Sequence, residues 1–260
     1  MRQSRFLSQT EVDNYDRDGY VLLQGAFSQC EVNAMIAAIE GGGSLEKHAR
    51  VRTDAEGKKT RLAIWHTLTD DIWGTASTAP SLVNNVRIWL RQEIAFFHGK
   101  VMLKEAHTGG AWEWHQDYGY WYDQGFVFPR MISAWVALDP ATRANGCLEV
   151  LRGSHKLGRL THTTYQSQTG ADPKRLAQVK PYFEHVHCEM RPGSVLFFDC
   201  NLLHGSGANL SAQHRRAFIV CYNALTNPYL HPGSIADPRP CPVSADDEIL
   251  RRARAAVGAT

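Results

Sequence analysis

Residues 191–204 read Arg-Pro-Gly-Ser-Val-Leu-Phe-Phe-Asp-Cys-Asn-Leu-Leu-His. A proline–glycine turn leads into an apolar, β-prone run, and a histidine follows shortly after it. Similar short runs, bounded by Gly, Pro or Asn, fill the chain from Lys100 onward. Short strands separated by frequent turns predict a β-sandwich or barrel rather than alternating strands and helices. The predicted strands are Val101–Lys104, Met131–Leu138, Cys147–Leu151, His185–Met190, Val195–Phe198 and Arg216–Tyr222.

The N-terminal third of the sequence has a different, mostly helical pattern. Ser8 and Ser28 each stand where a side-chain cap would begin a helix, and the short run 19–23 between these helices predicts a strand. The polar residues 44–60 predict a loop. Apolar residues then recur at helical spacing and predict a third helix over residues 80–97.

These patterns predict that all 260 residues form one domain, because neither a repeat nor a low-complexity linker divides the chain. Residues 1–99 would form a helical part packed on a barrel core at 100–225, followed by a C-terminal extension at 226–260. Within the core, the polar residues 161–180 are too many for a hairpin turn and predict an insertion that could act as a lid. The extension would end in a helix capped by Ser244.

Composition and charge restrict the class of protein. The chain is 43% hydrophobic and 21% charged, as is usual for a globular protein, and its net charge of +2 gives no basic field for nucleic acid. No stretch reaches the ~20 apolar residues that a membrane span needs. The six cysteines are scattered without a C-x-x-C pair, which predicts free thiols in a reducing compartment. We therefore expect a cytoplasmic monomer or homodimer whose partner is a small molecule, not a nucleic acid or a membrane.

The pattern His-x-Asp at residues 115–117 is the first candidate for a metal site. On a strand, residues i and i+2 face the same side, so His115 and Asp117 could bind one ion. His204, which ends the stretch quoted above, supplies a second imidazole. Two neutral imidazoles and one carboxylate form the facial triad that leaves positions on iron open for other ligands. Zinc accepts the same residue types, so a zinc hydrolase remains an alternative at this point.

Arg215 stands 11 residues after His204 and opens an apolar strand. A guanidinium fixed inside a barrel suits a carboxylate, since its N–H groups match two oxygens. If 2-oxoglutarate chelates the metal through its keto-acid end, Arg215 would bind the distal carboxylate. Arg216 points to the opposite face of the strand and is not expected to take part.

Several motifs occur in an order that resembles the phytanoyl-CoA dioxygenase family of iron(II) and 2-oxoglutarate oxygenases. They are D-G-Y-V-L-L at 18–23, W-H-Q-D at 114–117, N-G-C-L-E-V-L-R-G-S-H at 145–155, P-G-S-V-L-F-F-D at 192–199 and H-G-S-G-A-N at 204–209. The resemblance implies a mainly β fold with flanking helices: a double-stranded β-helix, or jelly roll, with N-terminal helices packed on the barrel. It also implies Fe(II), 2-oxoglutarate and dioxygen as cofactors.

The resemblance assigns residues to the iron and to the co-substrate. The iron ligands would be His115, Asp117 and His204. The 2-oxoglutarate contacts would be Arg215, Trp135 and Ser206. Halogenases of the family carry a small residue in place of the ligand aspartate, so the presence of Asp117 favours hydroxylation.

The substrate side of the pocket is less well specified. Tyr118 and Trp121 directly follow the metal motif and are predicted to wall the substrate pocket, with ordinary barrel packing as the alternative. Lys104 precedes the metal strand by one short hairpin and is predicted to contact the co-substrate. Arg61 is predicted to contact the substrate. A solvated or salt-bridged position is the alternative for both cations.

The sequence therefore predicts a 2-oxoglutarate-dependent non-haem iron dioxygenase. It would hydroxylate a C–H bond of a small, polar metabolite and release succinate and carbon dioxide. A compact chain with an aromatic pocket rim suits such a substrate better than a long acyl-CoA. An acyl-CoA hydroxylase similar to phytanoyl-CoA dioxygenase is the alternative within the family, and a metal-binding jelly-roll protein without turnover is the alternative outside it.

Overall fold

The computed structural model of the chain describes residues 6–41, 43–46, 48–165, 168–231 and 239–258. Its strands are β1 Tyr20–Leu23, β2 Ala49–Thr53, β3 Lys59–Trp65, β4 Ile94–Lys104, β5 Trp112–His115, β6 Met131–Ala137, β7 Leu148–Leu151, β8 His162–Tyr165, β9 Gln168–Ala171, β10 His185–Cys188, β11 Val195–Asp199, β12 His204–Ser206 and β13 Arg215–Ala224. Its α-helices are α1 Gln9–Asp18, α2 Gln29–Glu40, α3 Gly43–Glu46, α4 Ile72–Ser77, α5 Pro80–Leu90, α6 Asp117–Asp123, α7 Pro173–Val179 and α8 Glu248–Gly258.

Two antiparallel sheets form the centre of the molecule. The larger sheet has seven strands in the order β1-β11-β6-β13-β4-β3-β2, and the smaller has four in the order β10-β7-β12-β5. Strands that are distant in the sequence are neighbours in both sheets, as in a jelly roll. A separate pair, β8-β9, lies in the segment between β7 and β10.

The central strands of the larger sheet are buried on both faces. In β13, Ile219 and Cys221 belong to the core enclosed by the two sheets, together with Val150 of the smaller sheet. The alternate residues Phe218 and Val220 belong to a second core, which the N-terminal helices complete. Period-two alternation therefore sends successive side chains of one strand into different cores. The predicted jelly roll with helices packed on one side is confirmed.

Two predicted helix starts are also confirmed, each by a capping box. At α1, the Glu11 N–H donates to Ser8 Oγ over 3.3 Å, and the Ser8 N–H donates to the Glu11 carboxylate over 2.8 Å. At α2, the corresponding bonds between Glu31 and Ser28 are 3.4 and 2.7 Å. Each box satisfies two N–H groups that would otherwise lack partners at a helix start.

The loop predicted for residues 44–60 is wrong, because part of this segment is a β-hairpin. Strand β2 pairs with β3, which in turn pairs with β4, so the hairpin extends the larger sheet. Its turn is closed by the Asp54 carboxylate, which accepts the Lys58 N–H over 2.7 Å. Strand β2 is an exposed edge strand, and its charged side chains concealed the β pattern.

The third predicted helix is too long. Helix α5 ends at Leu90, and Arg91 adopts a left-handed backbone with φ of 53°. Strand β4 then begins at Ile94 and is buried on both faces, so it lacks the polar alternation that identifies a half-exposed strand. The boundary predicted at residue 99 therefore falls inside a central strand, and the N-terminal third contributes strands to the sheet as well as helices.

The C-terminal helix begins later than predicted. Helix α8 starts at Glu248, and Ser244 does not cap it. The Ser244 N–H instead donates to the Thr78 carbonyl over 2.9 Å, which joins this segment to α4. Residues 232–238 of the predicted extension lie outside the described residues. None of the helices in the described ranges is long and apolar enough to cross a membrane.

Candidate active site

Two adjacent strands of the smaller sheet and the start of α6 carry the candidate metal ligands. His115 ends β5 and lies opposite His204, which begins β12. Asp117 is the first residue of α6, so the expectation that it shares a strand face with His115 is wrong. The chain changes from strand to helix at Gln116, and this turn directs the Asp117 carboxylate towards both imidazoles.

The three side chains have the spacing of a metal site. Asp117 Oδ1 lies 3.7 Å from His115 Nε2 and 3.9 Å from His204 Nε2. One ligand atom from each residue lies within 4.8 Å of the others. All three residues are buried, with 2–4% of their surface exposed. One ion could therefore contact the three groups together.

Neighbouring groups fix the orientation of these ligands. His115 Nδ1 lies 2.7 Å from the Glu113 carbonyl, and His204 Nδ1 lies 2.9 Å from the Leu202 carbonyl. A carbonyl only accepts hydrogen bonds, so each Nδ1 must carry the proton and each Nε2 keeps its lone pair for a metal. The Ser133 hydroxyl donates to Asp117 Oδ2 over 2.5 Å, which leaves Oδ1 facing the histidines.

The protonation states also suit a cation. Burial lowers the pKa of His115 well below its ordinary value and lowers that of His204, so both imidazoles are neutral at pH 7. Burial opposes ionisation of Asp117, but His204, Lys100 and the Ser133 hydrogen bond outweigh it, and the pKa of this carboxyl is lowered. Neutral imidazoles and an ionised carboxylate are the forms in which these residues bind metal.

Arg215 is a buried cation that forms no ion pair with a carboxylate of the described residues. It begins β13, and only 1% of its surface is exposed. Its Nε has no hydrogen-bond partner among the described residues, and its Nη2 lies 3.8 Å from the Met102 sulfur. Burial lowers the pKa of Arg215 to about 10, which still leaves it charged at pH 7. A buried guanidinium of this kind calls for an anion, and the part of the chain that the structure describes pairs none with it.

The guanidinium and the histidines line the same narrow cavity. Trp135 and Ser206 also line it, and the Arg215 guanidinium lies 5.4 Å from the centre of the Trp135 ring. Arg216 points the other way and pairs with Asp139 over 2.8 Å. His115, His204 and Arg215 therefore border one and the same cavity.

Comparisons with known proteins agree with this geometry. The sequence profile of the phytanoyl-CoA dioxygenase family matches residues 15–217. The chain belongs to the phytanoyl-CoA dioxygenase family. The resemblance inferred from the motifs is thus confirmed, and with it the predicted enzyme class, a dioxygenase.

Individual relatives of this dioxygenase are more distant. The ectoine dioxygenase of Bordetella parapertussis is 28% identical over 249 residues, which cover 90% of this chain and 81% of the relative. The L-proline trans-4-hydroxylase of Streptomyces griseoviridis is 27% identical over 235 residues, covering 84% and 87%. The crystal structure of EctD from S. alaskensis with 2-oxoglutarate and 5-hydroxyectoine has a TM-score of 0.76 at 24% identity, covering 94% of this chain and 90% of that one. This structural likeness concerns the fold.

A wider cavity of about 300 Å³ adjoins the metal position in this dioxygenase, with His115 and Asp117 in its lining. Trp121 lines it, as predicted, whereas Tyr118 does not. The Tyr118 hydroxyl donates to the Val127 carbonyl over 2.8 Å, and its ring packs in the core. Tyr120 and Trp121 follow Asp117 by three and four residues, so in α6 they share its face, while Tyr118 is turned away.

Neither of the two cations that were predicted to contact a ligand, Lys104 and Arg61, lines either cavity. Lys104 is fully buried, lines neither cavity, and donates to Ser206 Oγ over 2.7 Å and to the Gly207 carbonyl over 2.5 Å. It therefore meets the co-substrate cavity only through Ser206. Arg61 is exposed on the opposite face of β3 from Leu62, which lines the wider cavity.

The cations that line the wider cavity of this dioxygenase differ from the predicted ones. Lys100 lines both cavities, and Arg50 and Arg52 line the wider one. Lys100 interrupts an otherwise apolar run, which is a detectable signal. The sequence pattern, however, predicts a helix up to residue 97 and a strand only from Val101, so it does not place Lys100 in a strand. Arg50 and Arg52 lay in the segment predicted as a loop, so their positions in a strand could not be inferred.

Proposed function

We propose that this dioxygenase binds Fe(II) and 2-oxoglutarate and hydroxylates a C–H bond of a small, polar metabolite. Family membership and the geometry of His115, Asp117 and His204 support the metal, and the narrow cavity beside Arg215 supports the co-substrate. The relatives named for ectoine and L-proline support the size and polarity of the substrate. A cavity of about 300 Å³ also suits a small molecule better than a long acyl-CoA.

The uncompensated charge of Arg215 is the observation that carries this proposal. A metal-dependent hydrolase would use the same histidines and aspartate but would leave the buried guanidinium without an anion. A dicarboxylate that chelates the metal with one end satisfies Arg215 with the other. The acyl-CoA hydroxylase, the zinc hydrolase and the non-catalytic metal-binding protein do not account for Arg215 and the cavity size together.

In the proposed reaction, the bound iron and 2-oxoglutarate supply the oxidation by dioxygen, and the chain positions the reactants. His115, Asp117 and His204 would hold the metal, and Arg215 would bind the distal carboxylate of the co-substrate. Ser206, oriented by Lys104, adds a hydroxyl to this cavity. Tyr120 and Trp121 wall the wider cavity and would exclude water from the substrate.

Metabolite-dependent succinate release by the purified protein tests the proposal. Release should require Fe(II), 2-oxoglutarate and dioxygen together, and Asp117→Ala should abolish it because the carboxylate ligand is lost. Turnover without dioxygen would favour a hydrolase. Unchanged turnover in the Asp117→Ala protein would contradict the assignment of the metal ligands.

We also propose a cytoplasmic location, with the chain acting as a monomer or homodimer on a freely diffusing metabolite. All six cysteines are free thiols, and five of them are buried, which suits a reducing compartment. The segment 161–180 is proposed as a lid: β8, β9 and α7 lie within it, and Gln168 and Thr169 line the wider cavity.

A further inference from the structure

The wider cavity beside the metal position is lined by an excess of positive charge. Arg50 and Arg52 reach it from the edge strand β2, and Lys100 reaches it from β4. Asp117, a proposed metal ligand, is the only acidic residue in the described lining. Clefts lined by one sign of charge concentrate ligands of the opposite sign.

Lys100 is the inner member of this group. It is partly buried, whereas Arg50 and Arg52 are exposed at the mouth. Within the described ranges no carboxylate forms an ion pair with any of the three. Water can solvate the two exposed arginines at the mouth, so their lack of an ion pair does not require a ligand. Solvation explains Lys100 less well, because a partly buried ammonium loses part of its hydration.

His98 adds a second, independent sign of a polar ligand. It lies two residues before Lys100 in β4, lines the same cavity, and has 4% of its surface exposed. Neither of its ring nitrogens has a hydrogen-bond partner in the described part of the chain. Burial lowers the pKa of His98 well below its ordinary value, so the ring is neutral and offers one donor and one acceptor. Buried polar atoms normally have hydrogen-bond partners. A ligand in the cavity would supply these partners to the ring nitrogens of His98.

We infer that the substrate is a small organic anion whose carboxylate, phosphonate or phosphate group is bound by Lys100, with Arg52 and Arg50 at the mouth and His98 as a neutral hydrogen-bonding partner. The inference rests on the proposed function and names the substrate class for that site. The apolar part of the molecule, with the C–H bond to be oxidised, would lie against Tyr120 and Trp121, which adjoin Asp117.

A panel of matched compounds tests the substrate class on protein loaded with Fe(II) and 2-oxoglutarate. Each pair contains an acid and a derivative that lacks the negative charge of the acid group: amino acids with their amides, aminoalkylphosphonates with their diesters, and phosphate monoesters with the parent alcohols. The acids should stimulate succinate release and the derivatives should not. The type of acid that responds identifies the oxyanion that the site binds. Preferential stimulation by uncharged or cationic members overturns the inference.

A binding measurement separates failure of this inference from failure of the proposed function. Thermal shifts of the protein loaded with Ni(II) and 2-oxoglutarate, measured with the same panel, require no turnover. Stabilisation by the acids alone supports the inference even where no succinate forms, which would count against the proposed function only. Stabilisation by both members of each pair, or by neither, overturns the inference.

Charge-removing variants test the residues themselves. With the best acid, Lys100→Gln should raise KM about 10- to 100-fold, the range expected for loss of one hydrogen bond to a charged group, and Lys100→Arg should restore much of the loss. Arg50→Gln combined with Arg52→Gln should raise KM less and should weaken its dependence on ionic strength. Arg61→Gln is the matched control, since Arg61 is an exposed arginine of the neighbouring strand that faces away from the cavity.

Lys100 also lines the narrow cavity, so the KM for 2-oxoglutarate must be measured in the same proteins. A rise confined to the KM for the acid supports the inference. A rise confined to the KM for 2-oxoglutarate assigns Lys100 to the co-substrate and overturns it. The same change of KM in Arg61→Gln as in the double arginine variant also overturns it.

Discussion

Arg215 and Arg216 are adjacent in sequence but have opposite environments. Arg215 is buried in the barrel and forms no ion pair within the described ranges, whereas Arg216 donates to Asp139 and Glu40 on the outside of the sheet. Their contrast was predictable, because alternate residues of a strand face opposite sides. The roles of Lys104 and Arg61 were not predictable in this way. Their environment depends on strand register, which no local pattern in the sequence specifies.

This pair of arginines allows a controlled test of the co-substrate site. Arg215→Gln should raise the KM for 2-oxoglutarate about 10- to 100-fold, because a charged hydrogen-bonding partner is lost. Arg216→Gln should leave this KM unchanged and should instead lower the free energy of unfolding by about 1–3 kcal/mol, since Asp139 loses its partner. Steady-state kinetics and urea denaturation measure the two effects. Equal KM values in both variants would contradict the placement of Arg215.

At the scale of elements, the strand-to-helix turn at the metal site is held by the insertion between β7 and β10. The Gln116 N–H donates to His162 Nε2 over 2.9 Å, and the Gln116 side chain accepts the Leu160 N–H over 2.7 Å. Gly119 lies against the His162 ring, and a Cβ built on it would come within 2.1 Å of that ring. The lack of a side chain at Gly119 therefore allows His162 to approach the start of α6.

We expect Gly119→Ala to displace His162 and to disturb the segment that carries Asp117. Overpacking of this kind costs about 1–3 kcal/mol, so the melting temperature and the metal affinity should both fall. His162→Ala should lose the hydrogen bond to Gln116 but remove the clash, so the double variant should be more stable than the sum of the single effects predicts. Additive losses of melting temperature would show that the two residues are not coupled.

The helices and strands were predicted correctly where the spacing of polar and apolar residues matched the periodicity of the element. The Ser8 and Ser28 caps and most core strands are of this kind. The prediction failed at β2, whose arginines resemble a loop, and at β4, whose buried faces mimic a helix over residues 94–97. In both cases pairing with a distant strand decides the structure, and that pairing leaves no local signal.

At the scale of the whole molecule, buried histidines determine how stability depends on pH. Burial lowers the pKa of six histidines: His66, His98, His115, His155, His162 and His204. Below pH ~6.5 the unfolded chain binds protons at these positions that the folded chain does not bind. Burial also raises the pKa of Asp199 to about 7 and raises that of Glu113, and these two carboxyl groups act in the opposite direction.

The free energy of unfolding of the metal-free protein should therefore fall as the pH is lowered from about 7 to 5. Each histidine whose folded form stays neutral adds a slope of up to about 1.4 kcal/mol per pH unit, and Asp199 offsets one such contribution. Urea denaturation at a series of pH values measures this dependence. A constant or rising free energy of unfolding below pH 6.5 would contradict the neutral state of the buried histidines.

The pairing of His115 with His204 makes a bound metal a removable cross-link between distant parts of the chain. An ion that binds only the folded protein stabilises it by about 2.7 kcal/mol at one hundred times its dissociation constant. Fe(II) or Ni(II) should therefore raise the melting temperature, and a chelator should reverse the rise. Asp117→Ala should remove the response, which distinguishes this site from the more exposed cluster of Glu149, His185 and His187. The abundance of the enzyme in a cell would then follow the iron supply, because metal-free molecules unfold and are degraded more readily.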